Sequence, residues 1–308
     1  MRKIAFVFPG QGAQYVGMGK DFYENVQVSK EVFDKASETS GLDIPALCFE
    51  ENENLHQTEY TQIAMLATEI AILKALEEKG IKADVTAGLS LGEYAAIVAS
   101  GAMSMEDAFR VVRQRGIFMQ EAVPTGGAMA AVLGLTADKI DEAVAKAALE
   151  GAGIVSVANY NCPGQIVITG QEAAVIKAGE YCKEAGAKRV LPLKVSGPFH
   201  SAMMEEAGVK LLAELDKVSF NEPEIPYVAN LTAEYVHTKE EIKELLVKQI
   251  SGPVRFMQSV ENMIADGVDT FVEIGPGKTV SGFVKKINKE VKVINVEHFE
   301  DLTKCMEE

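Results

Sequence analysis

Long apolar runs are missing from this 308-residue chain: none approaches the roughly 20 residues that a membrane-spanning helix needs. That excludes insertion into a membrane by a helix of this sequence. Metal-like cysteine spacing is missing too. Cys48, Cys162, Cys182 and Cys305 form no CxxC pair, so free thiols in a reduced compartment are expected, and no metal site. Basic residues are scarce, 30 against 45 acidic ones, a net charge of −15. Such a chain is a poor general binder of nucleic acid, and any acidic partner must find a local basic patch. Histidines number only four, which narrows the search for a catalytic base. Repeats and low-complexity segments are absent.

What remains is ordinary globular composition, 47% apolar and 24% charged. The length suits one large domain with an insertion, or two domains. The apolar run Ile4 to Phe8 after Met1-Arg2-Lys3 ends at Pro9-Gly10, so it reads as a first strand and not as a signal peptide; a cytoplasmic setting is the default. Strand and helix patterns then alternate, as in a mostly parallel sheet covered on both faces. An amphipathic helix is expected over about Thr61–Lys79, and a helix over about Ser104–Ala122. Between about Gly126 and Val195 the rhythm changes to β-α-β-β-α-β, the ferredoxin-like order, as in an inserted small domain.

Ser90 carries the most chemistry. It sits in Gly88-Leu89-Ser90-Leu91-Gly92, between a strand pattern (Asp84–Ala87) and a small-residue helix (Glu93–Ser100). Strand, Gly-x-Ser-x-Gly, helix is the context of a nucleophile elbow. The flanking glycines are expected to permit the sharp turn. The helix N-terminus behind the serine favours a nearby oxyanion. A serine needs a base. His56 and His237 lie among polar residues and read as solvent-facing; His298 follows Glu297 near the C-terminus. His200, in Ser196-Gly197-Pro198-Phe199-His200-Ser201, stands at a strand-to-helix junction. Its plain alternative is a helix-start histidine with a local hydrogen bond. A dinucleotide reading of Gly10-Gln11-Gly12 fails because Tyr15 stands where a third glycine is required. Gly275-Pro276-Gly277-Lys278-Thr279 is no P-loop, since Val272 stands at its first glycine position; it reads as a turn before a helix.

Seven blocks occur in order. They are Phe8 to Gln14, Gly88 to Glu93, Arg113 to Gly116, Asn159 to Gln165, Gly197 to Ser201, Pro253 to Phe256 and Glu273 to Gly277. Together they resemble malonyl-CoA:acyl carrier protein transacylases and the acyltransferase domains of fatty acid and polyketide synthases, from Ile4 to about Val296. The resemblance implies an α/β-hydrolase-like large domain (1–125 and 196–308) and a ferredoxin-like small domain (126–195). It implies malonyl transfer from malonyl-CoA to an acyl carrier protein through an acyl-serine, with no cofactor. Ser90 would be the nucleophile and His200 the base, oriented by a backbone carbonyl at Gln249. Backbone N–H groups of Gln11 and Leu91 would form the oxyanion hole. Arg115 would grip the malonyl carboxylate, Phe199 would favour unbranched acyl units, and Asn159 would touch substrate or pantetheine. Where many members carry histidine before the serine, this chain has Leu89. Lys188, Arg189, Lys285, Lys286 and Lys289 are candidates for carrier docking. The rival is a serine hydrolase or thioesterase with a triad of Ser90, an acid such as Asp269, and His298; a carrier-binding scaffold without catalysis is the other. Fatty acid synthesis is the expected pathway, with polyketide synthesis as the alternative.

Overall fold

The computed structural model describes residues 2–306. Among them, ten strands form two sheets. In chain order the strands are β1 (Ile4–Phe8), β2 (Val85–Gly88), β3 (Gly127–Leu133), β4 (Val155–Cys162), β5 (Gln165–Gln171), β6 (Arg189–Pro192), β7 (Tyr227–Val228), β8 (Tyr235–Val236), β9 (Thr270–Ile274) and β10 (Lys292–Val296). The first sheet runs β10-β9-β1-β2-β7-β8, parallel throughout except for the β7/β8 hairpin. The second runs β4-β5-β3-β6 and is wholly antiparallel. This is a mixed α/β fold.

The sequence of β1, Ile-Ala-Phe-Val-Phe, is β-branched and aromatic, and its burial is almost complete, as expected of a central parallel strand. The helix Met105–Ala122 starts on Ser104, whose side chain accepts from the Asp107 N–H at 3.1 Å. The helix Thr58–Glu78 corrects the amphipathic expectation. It is buried nearly all round, because the helices Gln27–Ser40, Gly92–Ala99 and Met105–Ala122 pack against it. A helix with apolar residues on every side is a core element.

The second sheet meets the rest of the molecule through backbone. Its edge strand β4 forms a parallel bridge from Asn159 to Val254. The Tyr160 N–H donates to the Val254 carbonyl at 2.9 Å, and the Val254 N–H donates to the Ala158 carbonyl at 2.8 Å. A concave space is left between the two sheets, at the C-terminal ends of β1 and β2, the usual place for a site in an open parallel sheet.

Candidate active site

The turn after β2 is built by close packing. A Cβ on Gly88 would lie 1.9 Å from the Gly92 carbonyl carbon, and one on Gly92 would lie 2.4 Å from the Phe8 carbonyl oxygen. Only glycine lets the helix Gly92–Ala99 settle this tightly on β1 and β2. The glycines permit the sharp turn, as expected, through clearance and not through a positive φ; the left-handed residue is Ser90 itself, at φ 54°. Such a conformation costs a non-glycine residue roughly 1–2 kcal/mol. Three hydrogen bonds hold it. The Ser90 N–H donates to Asn230 Oδ1 at 2.7 Å, and the Ser90 carbonyl accepts from Gln249 Nε2 at 2.8 Å and from the Glu93 N–H at 3.2 Å. Asn230 Nδ2 also donates to the Gly88 carbonyl at 2.6 Å, so one side chain spans the elbow.

His200 reaches the elbow from the segment after β6. Its φ is 60°, and it is buried. Nε2 lies 2.8 Å from Ser90 Oγ, and Nδ1 lies 2.9 Å from the Gln249 carbonyl oxygen. A carbonyl only accepts, so Nδ1 carries the proton and Nε2 turns its lone pair to the serine hydroxyl. Burial pushes the imidazole down to about 4; the nearby Arg115 charge adds to this, while bonds to the Gln249 and Gly252 backbone oppose it. The ring is therefore neutral at pH 7. Gln249 is the last residue of the helix Lys239–Gln249, so the carbonyl facing His200 belongs to a helix end and not to a loop.

Arg115 is one of the largest fully buried side chains, at 1% exposure. Burial lowers its pKa, offset partly by Tyr94 and Glu93. Nη1 donates to Gln62 Oε1 at 2.6 Å; Nη2 donates to Gln249 Oε1 at 3.0 Å and to Ser90 Oγ at 3.2 Å. Its guanidinium carbon lies 5.4 Å from the Tyr94 ring centroid. No carboxylate touches it among the described residues. Arg113, two residues earlier on the other face of the helix, is a different case: it pairs with Glu59 at 3.0 Å.

A cavity of about 200 Å³ opens above this group. Gln11, Leu89, Leu91, Phe199 and Met119 line it on one side, and Asn159, Asn161, Met129, Leu193 and Val195 on the other. The N–H groups of Gln11 and Leu91 donate to no acceptor among the described residues. The Gln11 side chain is tied back to Thr58 Oγ1 at 3.0 Å.

All the residues expected at the site thus converge: Ser90, His200, Gln249, Gln11, Leu91, Arg115, Phe199 and Asn159. The rival triad does not form. His298 is 57% exposed beside Asp21 and Glu297, and Asp269 accepts from Thr270 Oγ1. His56 and His237 are exposed, as expected. Sequence reading missed Gln62 and Asn230, and it quoted Glu93 and Asn161 within motifs without giving them a task. Asn230 follows the two-residue strand β7, a position with no local signal of its own.

A serine hydroxyl facing a neutral imidazole, with two free N–H groups beside it and a buried cation in reach, is an arrangement for acyl transfer to and from serine. The chain belongs to the acyl transferase domain family, whose model matches residues 5–300. It is 50% identical over 298 residues to the malonyl CoA-acyl carrier protein transacylase of Bacillus subtilis (strain 168), covering 96% of this chain and 94% of that one. A crystal structure of malonyl CoA-acyl carrier protein transacylase from Clostridium perfringens superimposes with a TM-score of 0.95 at 50% identity, covering 99% and 96% of the two chains. A malonyl-transacylase solved in complex with its type II PKS acyl-carrier protein superimposes with a TM-score of 0.95 at 41% identity, covering 99% of each chain.

Proposed function

We propose that this protein transfers the malonyl group of malonyl-CoA to the phosphopantetheine thiol of an acyl carrier protein, as its relatives' names describe. Ser90 Oγ attacks the thioester carbonyl while His200 Nε2 takes its proton. The tetrahedral oxyanion is held by the Gln11 and Leu91 N–H groups, each such donor being worth about 3–4 kcal/mol of barrier. The C–S bond breaks, and the CoA thiolate leaves with the proton from His200. The carrier thiol then attacks the malonyl ester, His200 takes its proton, and that proton returns to Ser90 Oγ as the ester bond breaks. Kinetics are ping-pong. The scheme uses no metal or organic cofactor; malonyl-CoA is a substrate.

The observation that carries the malonyl reading is the buried Arg115 guanidinium, 3.2 Å from Ser90 Oγ. A planar two-point donor at that distance suits the free carboxylate of an acyl group on the serine. Phe199 closes the cavity beside the base and disfavours an α-branch. Asn159 takes a place on the opposite wall, toward the pantetheine arm. We further propose an α/β-hydrolase-like large domain (1–125 and 196–308) and a ferredoxin-like small domain (126–195); the strand order β4-β5-β3-β6 supports the latter. Lys188, Arg189, Lys285, Lys286 and Lys289 are proposed to meet the acidic carrier. No helix of the described residues is long and apolar enough to cross a membrane, and we place the enzyme in the cytoplasm, in fatty acid synthesis.

Intact mass after brief incubation with malonyl-CoA tests the reading. A malonyl adduct on the wild type, missing in Ser90→Ala and discharged by holo carrier protein, is the expected result. Free malonate with no adduct would favour hydrolysis. Arg115→Ala should lose malonyl transfer far more than acetyl transfer; equal losses would make Arg115 structural.

A further inference from the structure

Glu93 is fully buried one turn beyond the nucleophile. Both of its carboxylate oxygens accept: Oε1 from the Asn230 N–H at 3.2 Å and Oε2 from Gln249 Nε2 at 2.8 Å. The same Gln249 amide accepts from Arg115 Nη2 through Oε1 at 3.0 Å. One side-chain amide therefore bridges a buried carboxyl and a buried guanidinium. With Glu93 ionised the pair is neutral overall, which a low-dielectric interior favours.

We propose that Glu93 is the resident counter-ion of Arg115, and that loading Ser90 with a carboxylated acyl group makes Glu93 take up a proton, whereas loading with a neutral acyl group does not. The inference rests on Arg115 holding the acyl carboxylate. A malonyl carboxylate on Arg115 adds a second anion to a group with one buried cation. Either the site keeps a net negative charge, or Glu93 binds a proton from solvent and neutrality returns. Acetyl brings no charge and leaves the pair as it was. The bridge also offers a route for the change: once the acyl carboxylate occupies Nη2, Gln249 Oε1 is released and can turn to accept from the new Glu93 O–H.

The neighbours of Glu93 leave few other groups to titrate. The ionisable groups that interact with it are Arg115 from the helix Met105–Ala122, Tyr94 on its own helix and Tyr227 on β7, which also faces Glu241. Both tyrosines are raised by burial and stay protonated. His200 faces Arg115 and is already neutral. Burial lifts Glu93 itself to about 7, against the Gln249, Asn230 and Arg115 interactions that lower it. The carboxyl is poised where one added charge changes its proton occupancy. A raised carboxyl pKa favours the protonated form, so the equilibrium ratio of malonyl- to acetyl-enzyme should fall as pH rises above about 7, by up to tenfold per unit.

The test is proton uptake on acylation at pH 8, in weakly buffered indicator solution, with malonyl-CoA and acetyl-CoA compared on the same enzyme. The CoA thiol contributes equally to both and cancels. An excess approaching one proton per malonyl-serine, lost in Glu93→Gln, is expected. An infrared difference spectrum of the wild type with ¹³C-malonyl should show a new protonated-carboxyl band; this readout decides the matter if Glu93→Gln does not fold. Equal uptake for both donors with no such band, while Arg115→Ala still loses malonyl selectively, would overturn the counter-ion role and leave the function intact. An excess that persists in Glu93→Gln would also overturn it. Equal loss of both donors in Arg115→Ala would remove the reading of Arg115 on which it rests.

Discussion

Replacing Asn230 by alanine should loosen the elbow without touching the base. Its side chain accepts from the Ser90 N–H at 2.7 Å and donates to the Gly88 carbonyl at 2.6 Å. Asn230 is 1% exposed, so water does not readily take over either bond. Leaving a buried donor or acceptor unpaired costs about 1–3 kcal/mol each. A loss of about 3 kcal/mol is expected, a fall in Tm of about 5 °C for a chain of this length. Ser90 also loses a bond that helps hold it at φ 54°. A displacement near 1 Å is enough for about a 10²-fold fall in kcat. KM for malonyl-CoA should change much less, because Arg115 keeps its Gln62 and Gln249 partners. Calorimetry and steady-state kinetics on Asn230→Ala check both parts. A Tm within 1–2 °C of wild type and a kcat within about twofold would show that the elbow is held without Asn230.

With His200 lowered to about 4, kcat/KM for acetyl-CoA should keep its base form well below pH 6.5. An acid limb centred near 6.5 would contradict a buried neutral imidazole. The same shift bears on stability: the unfolded chain binds the His200 proton first, so as pH drops from 6.5 toward 4 the wild type should lose about 3 kcal/mol relative to His200→Gln, a comparison in which the opposite contribution of the raised Glu93 cancels. Denaturant titrations across that range measure it. Phe199→Ala should raise kcat/KM for methylmalonyl-CoA relative to malonyl-CoA; an unchanged ratio would assign Phe199 to packing alone. Reversing the charges of Lys285, Lys286 and Lys289 should raise the carrier KM at low salt and leave malonyl-enzyme formation unchanged. An unaffected KM would move the docking surface elsewhere.

Most elements of the fold were legible because their periodicity is local. The strand Ile4–Phe8 and the helix Met105–Ala122 fall where their patterns place them. The full burial of Thr58–Glu78 was not legible, since three helices from distant segments enclose it. β8 was missed because it has only two residues, and β10, at the edge of the sheet, was not read either. At the site, Ser90 and His200 stand in Gly- and Pro-marked turns, and the resemblance pointed to Gln11, Gln249 and Arg115. The Asn230 bond to Ser90 spans 140 residues of chain, and the Gln62 bond to Arg115 spans 53. A lone amide at the end of a strand carries no mark of a partner so far away. The elbow glycines were legible as permitting the turn; the additional clearance of Gly92 from the Phe8 and Pro9 backbone depends on a helix–sheet approach that no local pattern encodes.

Gln249 ends a helix with its carbonyl on His200 and its side chain on Arg115, Ser90 and Glu93. Any drift of that helix end carries the base and the carboxylate holder together. Thermal breathing there leaves the two in step, and so does a mutation in the helix behind it. The cost is evolutionary: reaction rate and the grip on the acyl carboxylate cannot be varied independently through this helix end. New substrate ranges in such a scaffold should arise from apolar residues that line the cavity, such as Phe199, Met129, Leu193 and Val195.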